Sequence, residues 1–111
     1  MGKFSISKRT NGEFQFNLLA DNNQTILTSQ GYSVKANCLN GIESVRTNAS
    51  SDASYESKDA ANGKKYFVLK SSNGQVIGTS QMYADSSGCN AGIASVKRNA
   101  PDASVEDLSA E

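Results

Sequence analysis

The chain has 111 residues, of which 37% are apolar, and its eleven basic side chains are matched by eleven acidic ones. A zero net charge excludes a protein that coats nucleic acid through a broad basic field. The absence of histidine excludes imidazole general bases and histidine metal ligands.

The first element is Lys3–Lys8, which alternates polar and apolar residues as a strand does. No apolar core of a signal peptide stands before it, and no apolar run approaches the ~20 residues of a membrane span, so a cytoplasmic protein is expected. Asn11-Gly12 then supplies a hairpin turn of type I′ character. A second strand follows, with Phe14, Phe16, Leu18 and Ala20 on one face and Gln15 and Asn17 on the other. After a turn at Asp21-Asn22-Asn23, Thr25–Thr28 reads as a third strand. The period changes from Ser33 onward. Val34, Cys38, Ile42 and Val45 lie four, four and three residues apart and form one helical stripe. Ser33 is the expected N-cap, and Asn48 the left-handed stop.

The whole pattern then recurs. Thr28-Ser29-Gln30 with Tyr32 returns as Thr79-Ser80-Gln81 with Tyr83, and Cys38 returns as Cys89. Gly41-Ile42, Ser44-Val45 and Asn48-Ala49 return as Gly92-Ile93, Ser95-Val96 and Asn99-Ala100, every pair 51 positions apart. Tyr55 falls 51 positions after Phe4, and Asp102-Ala103-Ser104 matches Asp52-Ala53-Ser54 at an offset of 50. The expected fold is therefore α+β: two tandem β-β-β-α repeats, 3–50 and 54–101, sharing one core with an antiparallel sheet and two helices about a pseudo-twofold. A half of that size buries too little surface to stand alone, which favours one domain over two. Residues 102–111 supply a short closing strand, begun at Ser104-Val105, and a tail frayed from Leu108. The second long strand is apolar on both faces (Tyr66 and Val68 against Gln15 and Asn17), which predicts a covering layer over the second repeat that the first lacks.

Through Asn11-Gly12-Glu13-Phe14, Thr28-Ser29-Gln30-Gly31-Tyr32, Asn40 to Val45, Asn73 to Ile77, Ser80 to Tyr83 and Gly92 to Ala100, the chain resembles the YegP-like family. These are bacterial proteins whose domain is of unknown function. The resemblance implies a small α+β fold of two related units, the tandem chain reproducing internally the pairing of shorter one-unit relatives, and hence a monomer. It carries over no catalytic residue. Cysteines at the two equivalent helix positions look particular to this chain.

Gly41 and Gly92 each cost a helix about 1 kcal/mol relative to Ala, which predicts close approach of another element to the helix backbone, or a ligand lying against it. Cys38 and Cys89 read as small buried side chains, the alternatives being a disulfide between repeats or a reactive thiol. Ser29 with Tyr32, and Ser80 with Tyr83, stand where strand passes into helix, so they are candidates for a paired anion site or else for capping and packing. Arg46, Lys97 and Arg98 lie in the last helical turns, where they complement the helix dipole or join in one basic patch. No catalytic residue, metal site or cofactor is expected. The reading is a non-enzymatic interaction or structural module with an unidentified protein partner. Its alternative is a module binding small anions or nucleic acid through the strand-to-helix junctions or the basic patch.

Overall fold

The computed structural model of the chain describes residues 2–109. The elements run β1 (Lys3–Lys8), β2 (Phe14–Leu19), β3 (Thr25–Thr28), α1 (Lys35–Asn48), β4 (Tyr55–Asp59), β5 (Lys65–Lys70), β6 (Val76–Thr79), α2 (Ser86–Asn99) and β7 (Ser104–Asp107). A single 3-10 turn, Asp52–Ser54, leads into β4. One sheet holds all seven strands in the order β4-β5-β6-β3-β2-β1-β7. The fold is α+β, as expected, with the two repeats joined where Thr28 of β3 faces Thr79 of β6 in an antiparallel pair. Every strand pair is antiparallel except β1 with β7, which is parallel.

Both repeats use the same local devices. Gly12 and Gly63 adopt left-handed φ of 89° and 82°, and each closes a turn by donating to a carbonyl three residues back, on Arg9 and Ala60. Asn11 stays at negative φ, so the turn is not type I′. Its side chain accepts from the Glu13 amide and holds the turn from outside. At the next turn Asn23 (φ 66°) stands where the second repeat has Gly74 (φ 86°). Bulges at Leu18/Leu19 and Leu69/Lys70 are also equivalent.

The helices lie on the face that carries Phe16 and Phe67, and Cys38, Ile42, Val45, Cys89 and Val96 are buried with the strands in one apolar cluster. Phe16 meets Phe4 edge-on at 5.8 Å, and Phe67 meets Tyr55 in the same way at 5.8 Å. The core is thus the same small aromatic set assembled twice.

Several expectations are corrected. Ser33 is not the N-cap of α1. Val34 holds that position without a side-chain bond and is 52% exposed, so the buried stripe starts at Cys38. In α2 the equivalent Asp85 does cap, accepting from the Gly88 amide at 2.9 Å. Asn48 does not stop α1 in a left-handed conformation. The backbone stays right-handed through Ala49, and the Asn48 amide donates back to the Ser44 carbonyl. Val68 is buried without joining the main cluster, and its cross-strand neighbours are Glu56 and Thr79, so lateral packing screens it where a covering layer was expected. Leu108 is bonded to the Ile6 carbonyl and Ser109 is buried, so the tail is held that far, and Ala110 and Glu111 lie outside the described residues.

Candidate functional site

The strand-to-helix junctions are built alike. Ser29 Oγ accepts from the Phe16 amide at 2.9 Å and donates to the Gln30 carbonyl at 2.8 Å. Ser80 does the same with Phe67 and Gln81. Each hydroxyl replaces a ladder bond as the strand ends, and each is buried, several residues before its helix begins. Tyr32 stacks on Phe16 (6.4 Å, 11° between planes) and Tyr83 on Phe67 (6.3 Å, 11°). Their hydroxyls press against the helix glycines. A Cβ added at Gly41 would stand 2.6 Å from Tyr32 Oη and 3.0 Å from the Phe16 ring, and one at Gly92 would collide with Tyr83 Oη. Burial raises both tyrosine pKa values above the ordinary one. The paired glycines therefore serve close packing of helix on sheet.

Two open spaces draw these residues together. Ser29 and Ser80, Gln30 and Gln81, and Thr28 and Thr79 line a cleft of about 360 Å³ on the seam between repeats. Tyr83 and Arg98 meet instead in a groove of about 460 Å³ between α2 and the turn at residues 20–24. Asn99, also on that groove, is only 1% exposed. Its amide donates to the Ser95 carbonyl and hydroxyl, and its Oδ1 has no partner. The sequence signal for Asn99, which the repeat alone marks, is a polar residue on the buried stripe of α2.

Arg46 and Lys97 are held apart from that groove. Arg46 pairs with Glu43 at 2.8 Å, donates to the Ala103 carbonyl at 2.5 Å and lies 5.5 Å over the Phe4 ring. Lys97 pairs with Asp52 and lies 5.8 Å over the Tyr55 ring. Each cation has its own carboxylate and ring, and the structure does not merge Arg46, Lys97 and Arg98 into one patch.

Cys38 and Cys89 are both buried and free. Burial, with the charge of Asp107 second, pushes the Cys38 thiol up to about 11, away from the nucleophilic thiolate form. Among the described residues no group of three or more His, Cys, Asp or Glu side chains is placed to hold a metal ion, and no helix is long and apolar enough to cross a membrane.

The two ends of the sheet differ. Lys65 and Phe67 spend their backbone groups on Tyr83 and Ser80, so Tyr66 and Val68 turn theirs toward β4. Their partners on β4 are Lys58 and Glu56. The backbone groups of Ser57 and Asp59 and the Tyr55 carbonyl consequently face outward at an end of the sheet, while the Tyr55 amide donates to Asp52 in the preceding turn. In β1 the residue equivalent to Ser57 is Ile6, and its carbonyl accepts from Leu108 at 2.8 Å beside β7. One edge is covered by the chain itself, and the matching one is not.

Comparison with known proteins gives a consistent answer. The family model described as "Domain of unknown function (DUF1508)" matches twice, over residues 10–56 and 60–107. A UPF0339 protein of Pseudomonas aeruginosa is 50% identical over 107 residues, covering 96% of this chain and 97% of its own. The UPF0339 protein YegP of Escherichia coli K12 is 48% identical over 106 residues, covering 96% of each. The solution NMR structure of Escherichia coli YegP, a protein of unknown function, superposes with a TM-score of 0.94 at 46% identity, covering 99% of this chain and 95% of that one. A UPF0339 protein of Shewanella oneidensis superposes with a TM-score of 0.93 at 44% identity, covering 99% and 93%.

Proposed function

Because the chain belongs to the DUF1508 (UPF0339, YegP-like) family, whose function is unknown, we propose its role from its own geometry: a non-enzymatic interaction module that docks a polypeptide strand on the outer edge of β4. The carrying observation is the asymmetry of the sheet ends. β1 has β7 beside it, whereas β4, matched to β1 at the 51-residue offset, presents the outward groups of Ser57 and Asp59 and the Tyr55 carbonyl. The candidate hydroxyls and thiols support a non-catalytic reading, since each is bonded or buried within the packing. A second reading, a site for a small anion, is favoured by the groove in which the Tyr83 hydroxyl and the Arg98 guanidinium meet; the unpartnered Asn99 Oδ1 beside them is an acceptor and would take a donor on the same ligand.

An amide chemical-shift titration of labelled protein against fractionated bacterial extract tests both. Polypeptide fractions are expected to move the amides of Tyr55, Ser57 and Asp59. Shifts confined to Tyr83, Gly88 and Arg98 with small-molecule fractions would replace the first reading with the second. A turnover signal lost in Cys38→Ser with the fold intact would overturn the non-enzymatic reading altogether.

A further inference from the structure

We infer that the strand received by the β4 edge is β4 of a second copy of this chain, paired antiparallel about Ser57; this rests on the reading of β4 as a docking edge. The sequence of the strand, Tyr55-Glu56-Ser57-Lys58-Asp59, is self-complementary in charge when reversed about its middle residue. With Ser57 facing its own counterpart, Glu56 stands opposite Lys58 of the second copy, and Lys58 opposite its Glu56. The backbone phase agrees with this register. Ser57 and Asp59 face outward with the Tyr55 carbonyl and exchange the hydrogen bonds, the Tyr55 amide staying on Asp52, and Glu56 and Lys58 fall in the non-hydrogen-bonded pairs, where opposing side chains come closest.

Every competing twofold register is worse. An axis at Glu56, Lys58 or Asp59 sets like charges face to face, and an axis at Tyr55 slides most of the strand out of the pairing. Glu56 and Lys58 pair with each other within one chain at 3.7 Å and stay 46% and 40% exposed, so each keeps a face for its counterpart in the second copy. Glu56 keeps Lys70 as its neighbour within the same subunit.

The other end of the sheet cannot do the same. β7 is Ser104-Val105-Glu106-Asp107, with two acids and no base in four residues, and its acids are already paired with Lys3 and Lys35, so two copies meeting there find no complementary charge on the facing strand. Pairing of β4 with β4 uses up the permissive edge of both copies and closes as a dimer without growing into a filament. Five residues of strand bury well under the ~1,200 Å² of a standard interface. The association is therefore weak, leaving the chain monomeric at low micromolar concentration and dimeric in the high micromolar range.

Sedimentation velocity of the full chain across that range, with amide shifts recorded in parallel, tests the inference. Mass is expected to rise to that of a dimer and no further, with the shifts confined to β4. Lys58→Glu and Glu56→Lys should each weaken self-association by about tenfold, since each sets like charges opposite one another at both ends of the pairing. The two variants mixed in equal amounts should associate as heterodimers, because one then carries two acids and the other two bases. Ser57→Pro removes an outward amide without touching the β5 ladder and should abolish dimers while Thr28 and Thr79 amides stay in place. A monomer at every concentration, a dimer indifferent to the charge reversals, or masses beyond a dimer would each overturn the inference. If self-association fails but polypeptide fractions still move the Ser57 amide, β4 remains a docking edge for another partner. If neither moves it, the docking reading falls as well.

Discussion

β4 and β7 begin with nearly the same residues and end in different places. Asp52-Ala53-Ser54-Tyr55 and Asp102-Ala103-Ser104-Val105 each leave the end of a helix and turn toward a sheet edge. β4 finds the edge of β5 free and pairs with it antiparallel, so Tyr55 reaches Phe67 and hydrogen-bonds the Ala49 carbonyl at 2.6 Å. β7 finds the matching edge of β2 already taken by β1 and is displaced outward to run parallel to β1, leaving Val105 42% exposed. The family model matches residues 10–56 and 60–107, two stretches that reach β4 and β7 respectively and leave out β1, which the 51-residue offset pairs with β4. One added strand thus breaks the twofold: it fills one edge, evicts the strand that would have used it and leaves the other end of the sheet open.

The interior keeps the symmetry that the edges lose, and substitution can probe where it stops. Phe16→Ala and Phe67→Ala should each cost about 3–5 kcal/mol, because both rings are fully buried between strand and helix. Equal shifts of the denaturant midpoint would confirm that the two cores are equivalent, and clearly unequal ones would break the comparison. Gly41→Ala and Gly92→Ala come next, at about 1–3 kcal/mol each, since the new methyl meets the hydroxyl of a tyrosine stacked on Phe16 or Phe67 and the ring must shift to admit it. Thermal unfolding of both variants measures this. The helix starts should differ: Asp85→Ala loses a cap worth about 1 kcal/mol, and Val34→Asp should add a comparable amount by giving α1 the cap it lacks.

The smallest effect concerns β7. Lys35 and a Ser109 hydrogen bond hold the Asp107 carboxyl at about 2, down from 3.8, so its contribution is complete above 3.8 and is lost as pH falls through about 2. Both partners are partly exposed and screened by solvent, so Lys35→Ala should lower stability only slightly. Amide exchange at Leu108 followed against pH should show β7 loosening in that acid window, with the loosening blunted in Lys35→Ala.

The duplication, the strand order within each repeat and the helix stripe were legible because each is periodic and appears twice. So was the close approach at Gly41 and Gly92, since a glycine tolerated twice inside a helix needs a reason. The approaching group, a tyrosine hydroxyl from the strand-to-helix junction, was not legible, because that contact depends on how the chain folds back. The seven-stranded order was hidden for a related reason: competition between β1 and β7 for one edge is decided by space already occupied. The α1 cap was misread because Ser33 has the right chemistry one residue too early, and Val34 took the position without it. For the candidate site, sequence marks Ser29, Ser80, Tyr32 and Tyr83 as recurrent, while the bonds that occupy the two serine hydroxyls and the packing of the two tyrosines against the helix glycines are visible only in three dimensions. The open edge of β4 leaves no mark in composition, although the order of its charges was there to be read.

At the seam between repeats, Leu27 and Gly78 occupy equivalent positions, and a Cβ on Gly78 would stand 2.6 Å from Leu27 Cγ. One half supplies the key and the other the keyway. Two copies of the first half would bring bulk against bulk, and two of the second would leave a hollow. Expressed as separate polypeptides, the halves should recombine with each other in preference to themselves. At this one pair the two halves are complementary and not interchangeable.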